Sequence, residues 1–173
     1  MGPTQGKLDL QGLPPLLDAN TRLVVLGSFP GVASLQAQQY YGHPQNQFWK
    51  IMAAILASNP SEVLDMPYAK RAQWLLSRGV GLWDVYAACE REGSLDSHIR
   101  KPQCNDLQSL LTRCPKLSVI AHNGGESFKH AKRTQTLGLP VFRLPSTSPA
   151  HASWSFSQKL ESWREVTNLI NNT

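Results

Sequence analysis

Cysteine is scarce in the 173-residue chain: Cys89, Cys104 and Cys114 are the three present, and none stands in C-x-x-C spacing. A disulfide framework and a four-cysteine zinc or iron–sulfur site within one chain are thereby excluded, and a reducing compartment is expected. No apolar run approaches the roughly 20 residues that a membrane span needs. The start, Met1-Gly-Pro-Thr-Gln-Gly6, has no basic n-region or apolar h-region of a secretory leader. Charged residues are only 17% against 41% hydrophobic, which excludes a disordered, highly charged chain. The histidines (His43, His98, His122, His130 and His151) show no metal spacing such as H-E-x-x-H, so no metal centre is expected. No G-x-S-x-G elbow supports acyl transfer, and no G-K-[ST] follows the first glycine-rich turn. The expectation is a soluble, intracellular, single domain over 1–173, with its core at about 20–170 and residues 1–20 a loosely packed lead-in.

The charge that is present is uneven. Seventeen Lys and Arg against twelve Asp and Glu give +5. Between Arg100 and Arg143, eight basic residues face only Asp106 and Glu126. Basic surface of this kind suits a polyanion, and Lys129, Lys132 and Arg133 are the candidates for phosphate contact. A merely soluble basic protein would show the same balance.

Residues 22–27 (Arg-Leu-Val-Val-Leu-Gly) form a short β-branched run that stops at a Gly/Pro cluster, which predicts a buried strand. Further strands are predicted over 80–86, 117–121 and 140–144. Helices are predicted over 48–56, from Asp106 to Leu111 with Asn105 as N-cap, from Asn123-Gly124 to about Gln135, and over 155–170. Strands separated by helices imply right-handed crossovers and a parallel sheet covered on both faces. The unusual residues gather at the carboxyl ends of these strands: Gly27-Ser28-Phe29-Pro30-Gly31, Asp84, Asn123-Gly124 and Ser146-Thr147-Ser148-Pro149. In open α/β sheets that edge is where ligands bind.

Each feature has a purely structural alternative. The Gly27–Gly31 turn can cradle an anion or a base carbonyl with its N–H groups, or simply reverse the chain. Tyr41 and Asn46 precede a helix and suit the rim, where an aromatic and a carboxamide can stack on and hydrogen-bond a flipped base; Asn46 also fits a helix cap. Asp84 is a carboxylate in an apolar strand, which calls for a backbone or Arg partner or for a ligand. Asn123 can cap a helix. Ser146, Thr147 and Ser148 suit a phosphate or a tight turn.

Taken together these residues resemble a known family, the uracil-DNA glycosylase superfamily. The segment 43–50, His-Pro-Gln-Asn-Gln-Phe-Trp-Lys, is similar to the H-P-x-N-x-F-W-K stretch of its mismatch-specific uracil/thymine glycosylases. The set Gly27-Ser28-x-Pro30-Gly31, Ser34-Leu35, Tyr40-Tyr41 and 144–150 (Leu-Pro-Ser-Thr-Ser-Pro-Ala) looks closer to the hypoxanthine-DNA glycosylase branch, as do 81–85 and 89–97. The likeness spans roughly residues 20–165.

The resemblance implies a three-layer α/β/α sandwich with a four-stranded parallel sheet. It implies a monofunctional, monomeric, cofactor-free N-glycosylase in the cytoplasm at the bacterial nucleoid. Its partner is DNA carrying a deaminated base, first of all hypoxanthine, and no membrane. By the same resemblance Asn46 positions the catalytic water and Tyr41 stacks on the base. Asp84 reads the base, Gly27, Ser28, Phe29 and Asn123 complete its pocket, and Ser146, Thr147, Ser148 and His151 hold the DNA. Two positions depart from the family pattern: Phe29 stands where many members carry a water-handling Asp, and Ser146 where many carry a His. A uracil or mismatch glycosylase is the alternative within the class, and a non-catalytic module binding single-stranded nucleic acid the alternative outside it.

Overall fold

The computed structural model describes residues 9–171. In chain order the strands are β1 (Asp9–Gln11), β2 (Leu23–Gly27), β3 (Val80–Asp84), β4 (Tyr86–Glu90), β5 (Arg100–Cys104), β6 (Val119–Asn123) and β7 (Val141–Leu144). The helices are α1 (Val32–Ala37), α2 (Phe48–Leu56), α3 (Pro60–Leu64), α4 (Tyr68–Ser77), α5 (Leu110–Arg113), α6 (Gly125–Phe128), α7 (Ala131–Gln135) and α8 (Phe156–Thr167).

The apolar run after Arg22 forms the centre of a four-stranded sheet ordered β3-β2-β6-β7, every neighbouring pair parallel. All five residues of β2 are buried, as a parallel strand covered on both faces requires. Alternation along the strand then divides the core. Leu23 and Val25 point to one side, among Phe48, Ile51 and Met52 of α2, Leu75 of α4 and Trp163 of α8. Val24 and Leu26 point to the other, among Leu107, Leu110 and Ile120, with Leu137 and Leu139 packed against them. Helical layers on both faces of a parallel sheet are the expected three-layer α/β/α arrangement. The last helix starts on a capping box: Ser155 Oγ accepts from Gln158 N–H, and the Gln158 side chain accepts from Ser155 N–H.

The structure corrects several sequence expectations. The lead-in is well packed from residue 9 on: β1 pairs with β4, Leu13 enters the core, and Leu16 and Leu82 exchange two backbone hydrogen bonds of 2.8 Å. Gly81 permits this approach, because a Cβ there would lie 2.6 Å from Leu17 Cδ2 and 3.0 Å from the Leu16 carbonyl. Residues 1–8 lie outside the described residues. The predicted strand 80–86 breaks at Val85, and the chain continues as β4 in a second, antiparallel sheet ordered β1-β4-β5. Helix formation after residue 105 is a 3₁₀ turn (Leu107–Ser109) followed by α5, and Asn105 does not cap it. Its side chain instead donates to the Asp84 carbonyl at 2.8 Å. The helix predicted to run to Gln135 is two short ones, α6 and α7, and α8 passes into a 3₁₀ turn (Asn168–Ile170).

His122, on β6, is fully buried, with Nδ1 2.8 Å from Ser127 Oγ and Nε2 2.9 Å from Thr134 Oγ1. Burial pushes its pKa down to about 4, so it is a neutral core residue bracing α6 and α7 against the sheet.

Candidate active site

The carboxyl ends of β2, β3 and β6, with the loop after β7, surround a cavity of about 370 Å³. Its walls bring together the expected residues Gly27, Ser28, Phe29, Tyr41, Asn46, Asp84, Asn123, Ser146, Thr147, Ser148 and His151. The three candidate basic residues Lys129, Lys132 and Arg133 do not line it. They are exposed on α7 and just before it, and Lys129 Nζ pairs with Glu126 Oε1 at 2.9 Å.

Asp84 is the last residue of its parallel strand, where the chain leaves one sheet for the other. The side chain is 5% exposed and its Oδ2 has no hydrogen-bond partner. No ion pair reaches it among the described residues. Burial, with the Asp96 carboxylate adding to it and Arg91 opposing, pushes its pKa up to about 7. The structural alternative for Asp84, a carboxylate bonded to backbone or to an Arg, is therefore not what the geometry contains.

Asn46 sits two residues before the start of α2, next to its N-cap position Gln47. Its Oδ1 accepts from Phe48 N–H at 2.9 Å, supplying the cap that Gln47 does not. Asn46 thus has the structural role as well as a place in the cavity wall. The backbone beside it is tied to the opposite wall, for Gln47 N–H donates to the Thr147 carbonyl at 3.0 Å. Thr147 is held again by Asn123, whose Nδ2 donates to Thr147 Oγ1 (3.0 Å) and whose Oδ1 accepts from Thr147 N–H (3.1 Å). Asn123 therefore braces the serine–threonine loop. Ser146 Oγ and Ser148 Oγ each accept from a backbone N–H two residues on, closing successive tight turns. The far end of the loop is anchored by a buried lysine: Lys159 Nζ donates to the His151 carbonyl at 2.6 Å. Burial, Lys159 and Arg143 all lower the His151 pKa, which favours a neutral ring, and its buried Nε2 has no partner.

Phe29 is buried, with its ring under the Arg91 guanidinium at 5.3 Å. The Ser28, Phe29 and Gly31 N–H groups meet no backbone acceptor among the described residues, as a cradle requires. The Tyr41 ring stacks on Phe48 at 4.3 Å and 28°, which covers one of its two faces.

Sequence reasoning missed a second group of wall residues, Ser94 to Ser97 and the Arg91 behind them. Arg91 is 3% exposed and donates through Nη2 to the Pro30 carbonyl at 2.6 Å. Asp96 Oδ1 accepts from Ser28 Oγ at 2.7 Å, and the Ser94 hydroxyl accepts from Val32 N–H at 2.9 Å. Asp96 keeps a solvent-exposed side, while the protein around its carboxyl raises its pKa. The segment 91–97 has no periodic apolar pattern; the sequence marked it only as part of the 89–97 likeness, with no role for any of its residues.

A three-layer α/β/α domain with a base-sized cavity at the carboxyl ends of its parallel strands, lined by an orphaned carboxylate and a carboxamide, has the architecture of the base-excising DNA glycosylases, and comparison with known proteins places the chain in that class. The chain belongs to the uracil DNA glycosylase superfamily, whose model matches residues 14–168. It is similar to the hypoxanthine DNA glycosylase of Methanosarcina acetivorans, 37% identical over 156 residues, covering 90% of this chain and 96% of that one. The protein of the same name from Methanosarcina barkeri is 34% identical over the same shares. A solution NMR structure of a candidate uracil DNA glycosylase from Methanosarcina acetivorans superposes with a TM-score of 0.84 at 35% identity, covering 95% of this chain and 100% of that one.

Proposed function

We propose that the protein hydrolyses the N-glycosidic bond of a deaminated base in DNA, hypoxanthine before others, releasing the base and leaving an abasic site. The observation that carries this reading is Asp84: a buried carboxylate without a partner, facing a cavity large enough for an extruded base. Hypoxanthine offers an N1–H donor to that carboxylate, whereas adenine offers an N1 lone pair, which the carboxylate repels. The two Methanosarcina relatives, matched over 96% of their length, carry the hypoxanthine name.

Departure of the base through an oxocarbenium-like sugar asks little of the nucleophile. Asn46, its side chain fixed by the Phe48 N–H, aligns the water without removing its proton early. The free N–H groups of Ser28, Phe29 and Gly31 lie where negative charge grows on the departing purine. Ser146, Thr147 and Ser148 hold the phosphates flanking the extruded nucleotide, and His151 stands at the same rim. The chain works as one domain and as a monomer, in the cytoplasm beside the nucleoid. No described helix is long and apolar enough to cross a membrane.

The test is abasic-site formation on oligonucleotides carrying hypoxanthine, uracil, xanthine or a mismatch, with and without EDTA. Release of hypoxanthine ahead of the others, unaffected by chelation, is expected. Preferred release of uracil would reassign the substrate, and binding without release would make the chain a single-strand-binding module. Away from the cavity, Lys132→Glu and Arg133→Glu are expected to weaken binding to every sequence alike. Each should reduce the salt slope by about one unit. Lys129→Glu should do less, since its ammonium already pairs with Glu126. An unchanged slope in the Lys132 and Arg133 variants places the DNA backbone elsewhere.

A further inference from the structure

Two polar atoms of the cavity have no partner although both are buried: Asp84 Oδ2 and the Tyr41 hydroxyl. The Asp84 carboxyl and the Tyr41 hydroxyl flank Gly27: a Cβ there would lie 2.5 Å from Asp84 Oδ1, the other carboxyl oxygen, and 3.3 Å from the Tyr41 hydroxyl, so the absence of a side chain at 27 leaves room for both groups.

The placement of Tyr41 is enforced from several directions. Its backbone has φ +54°, in the left-handed region that non-glycine residues seldom adopt. The preceding Tyr40 is fixed by three bonds: its N–H to Tyr68 Oη (3.0 Å), its hydroxyl to the Pro14 carbonyl (2.8 Å), and its carbonyl from Trp49 Nε1 (2.9 Å). The Tyr41 ring is then held against Phe48. A hydroxyl cannot be buried without a partner at no cost, and here it is held in a strained turn beside an equally orphaned carboxylate. Asn123 has its Oδ1 and one N–H committed to Thr147; its amide also acts on the Tyr41 oxygen, a contact that favours the phenolate, but no acceptor takes the phenol proton. Burial raises the phenol pKa far above the ordinary tyrosine value, so the group is a donor throughout the working pH range.

We propose that Tyr41 is a specificity-determining residue: its hydroxyl donates to the carbonyl oxygen of the extruded base while Asp84 accepts the adjacent ring N–H. The pair then reads the lactam edge, N–H beside C=O, that deamination creates. Adenine and cytosine present the reverse edge, an acceptor nitrogen beside an amino donor, and are mismatched at both points. The inference rests on the reading of this cavity as a base pocket, and it extends that reading. Asp84 by itself can accept the N3–H of uracil but cannot donate to either flanking carbonyl. With Tyr41 added, the N3–H and O4 of uracil are read as well as the N1–H and O6 of hypoxanthine, so the choice between them falls to other walls of the cavity. Guanine and thymine carry the same edge, and their 2-amino and 5-methyl groups must likewise be rejected elsewhere.

Tyr41→Phe removes the hydroxyl and keeps the ring. Single-turnover release from DNA carrying hypoxanthine is compared with release of 6-thiohypoxanthine, which keeps N1–H but replaces O6 with a weakly accepting sulfur. The variant is expected to lose about 10²-fold on hypoxanthine, because the same donor meets the charge growing on O6 as the base leaves. It should change release of the thio base much less and melt no lower than the wild type. A wild-type rate on hypoxanthine, or an equal loss on both bases, overturns the assignment. So does a melting temperature well below the wild type's, which would mean that the hydroxyl is bonded within the protein. Absence of any base release by the wild-type chain overturns the glycosylase reading itself, and this inference with it.

Discussion

Asn46→Ala is expected to slow base release from bound DNA by about 10²-fold or more, measured in single turnover at saturating enzyme, while DNA affinity changes little. The expectation follows from position: the carboxamide faces the cavity, and its orientation is set by the Phe48 N–H bond rather than by the ligand. The same bond means that the substitution also removes a helix cap, at about 1 kcal/mol or roughly 3 °C of melting temperature. The two roles separate in Asn46→Asp, which keeps an acceptor for Phe48 N–H and so keeps the cap, but replaces the neutral amide with a charge. Its melting temperature should stay near the wild type's while its release rate does not. If Asn46→Ala lowers stability and binding together and leaves the cleavage of bound DNA untouched, Asn46 is a cap and nothing more.

Asp84 carries the second large effect, in opposite directions on activity and on stability. Its folded pKa, about 7, lies above the ordinary carboxyl value of 3.8. The folded state therefore holds this proton more tightly than the unfolded chain does. That contribution to stability is complete below about pH 4 and disappears as pH rises through 7, a loss of up to roughly 4 kcal/mol. Asp84→Leu should accordingly melt no lower than wild type at pH 8.5, with its relative stability falling as the pH is lowered towards 5. Activity runs the other way. The ionised carboxylate accepts from the base N–H more strongly than the neutral carboxyl does, so wild-type release of hypoxanthine should rise with pH through about 7. In Asp84→Asn that dependence should flatten, with some hypoxanthine release retained and uracil release gained, since the amide can accept from N–H and donate to a carbonyl. Asp84→Leu should release neither base. The reading fails if both variants melt sharply lower at every pH and scale the two rates by one common factor, since Asp84 would then hold the fold rather than read the base.

What the sequence determined by itself was the parallel sheet and its functional edge. Four apolar runs of strand length, each stopped by glycine, proline or a short polar residue, can be buried only in a sheet covered on both faces, and β2, β3, β6 and β7 lie within those runs or within two residues of them. Because the stop signals are local, Gly27, Asp84, Asn123 and Ser146–Ser148 could be placed on one rim without coordinates. The second sheet was illegible for the opposite reason. β5 reads Arg-Lys-Pro-Gln-Cys and four of its five residues are exposed, so no apolar alternation announces it. Short α1 and α3 and the ten-residue α4 went unmarked as well, and α6 and α7 merged into one expected helix.

Only the tertiary structure decided what each site residue does with its hydrogen bonds. Pairings such as Ser28 with Asp96, Arg91 with Pro30 and Asn105 with Asp84 join segments distant in sequence, and no local pattern encodes a partner that folding alone supplies. The direction of Tyr41 is a matter of one dihedral angle, +54°, fixed by packing on Phe48 and by the bonds of Tyr40. Composition could say that an aromatic and a carboxylate were present. Whether they were bonded to each other, to the protein or to nothing depended on where the chain crossed itself. In this protein it left one buried hydroxyl and one buried carboxylate open to the cavity.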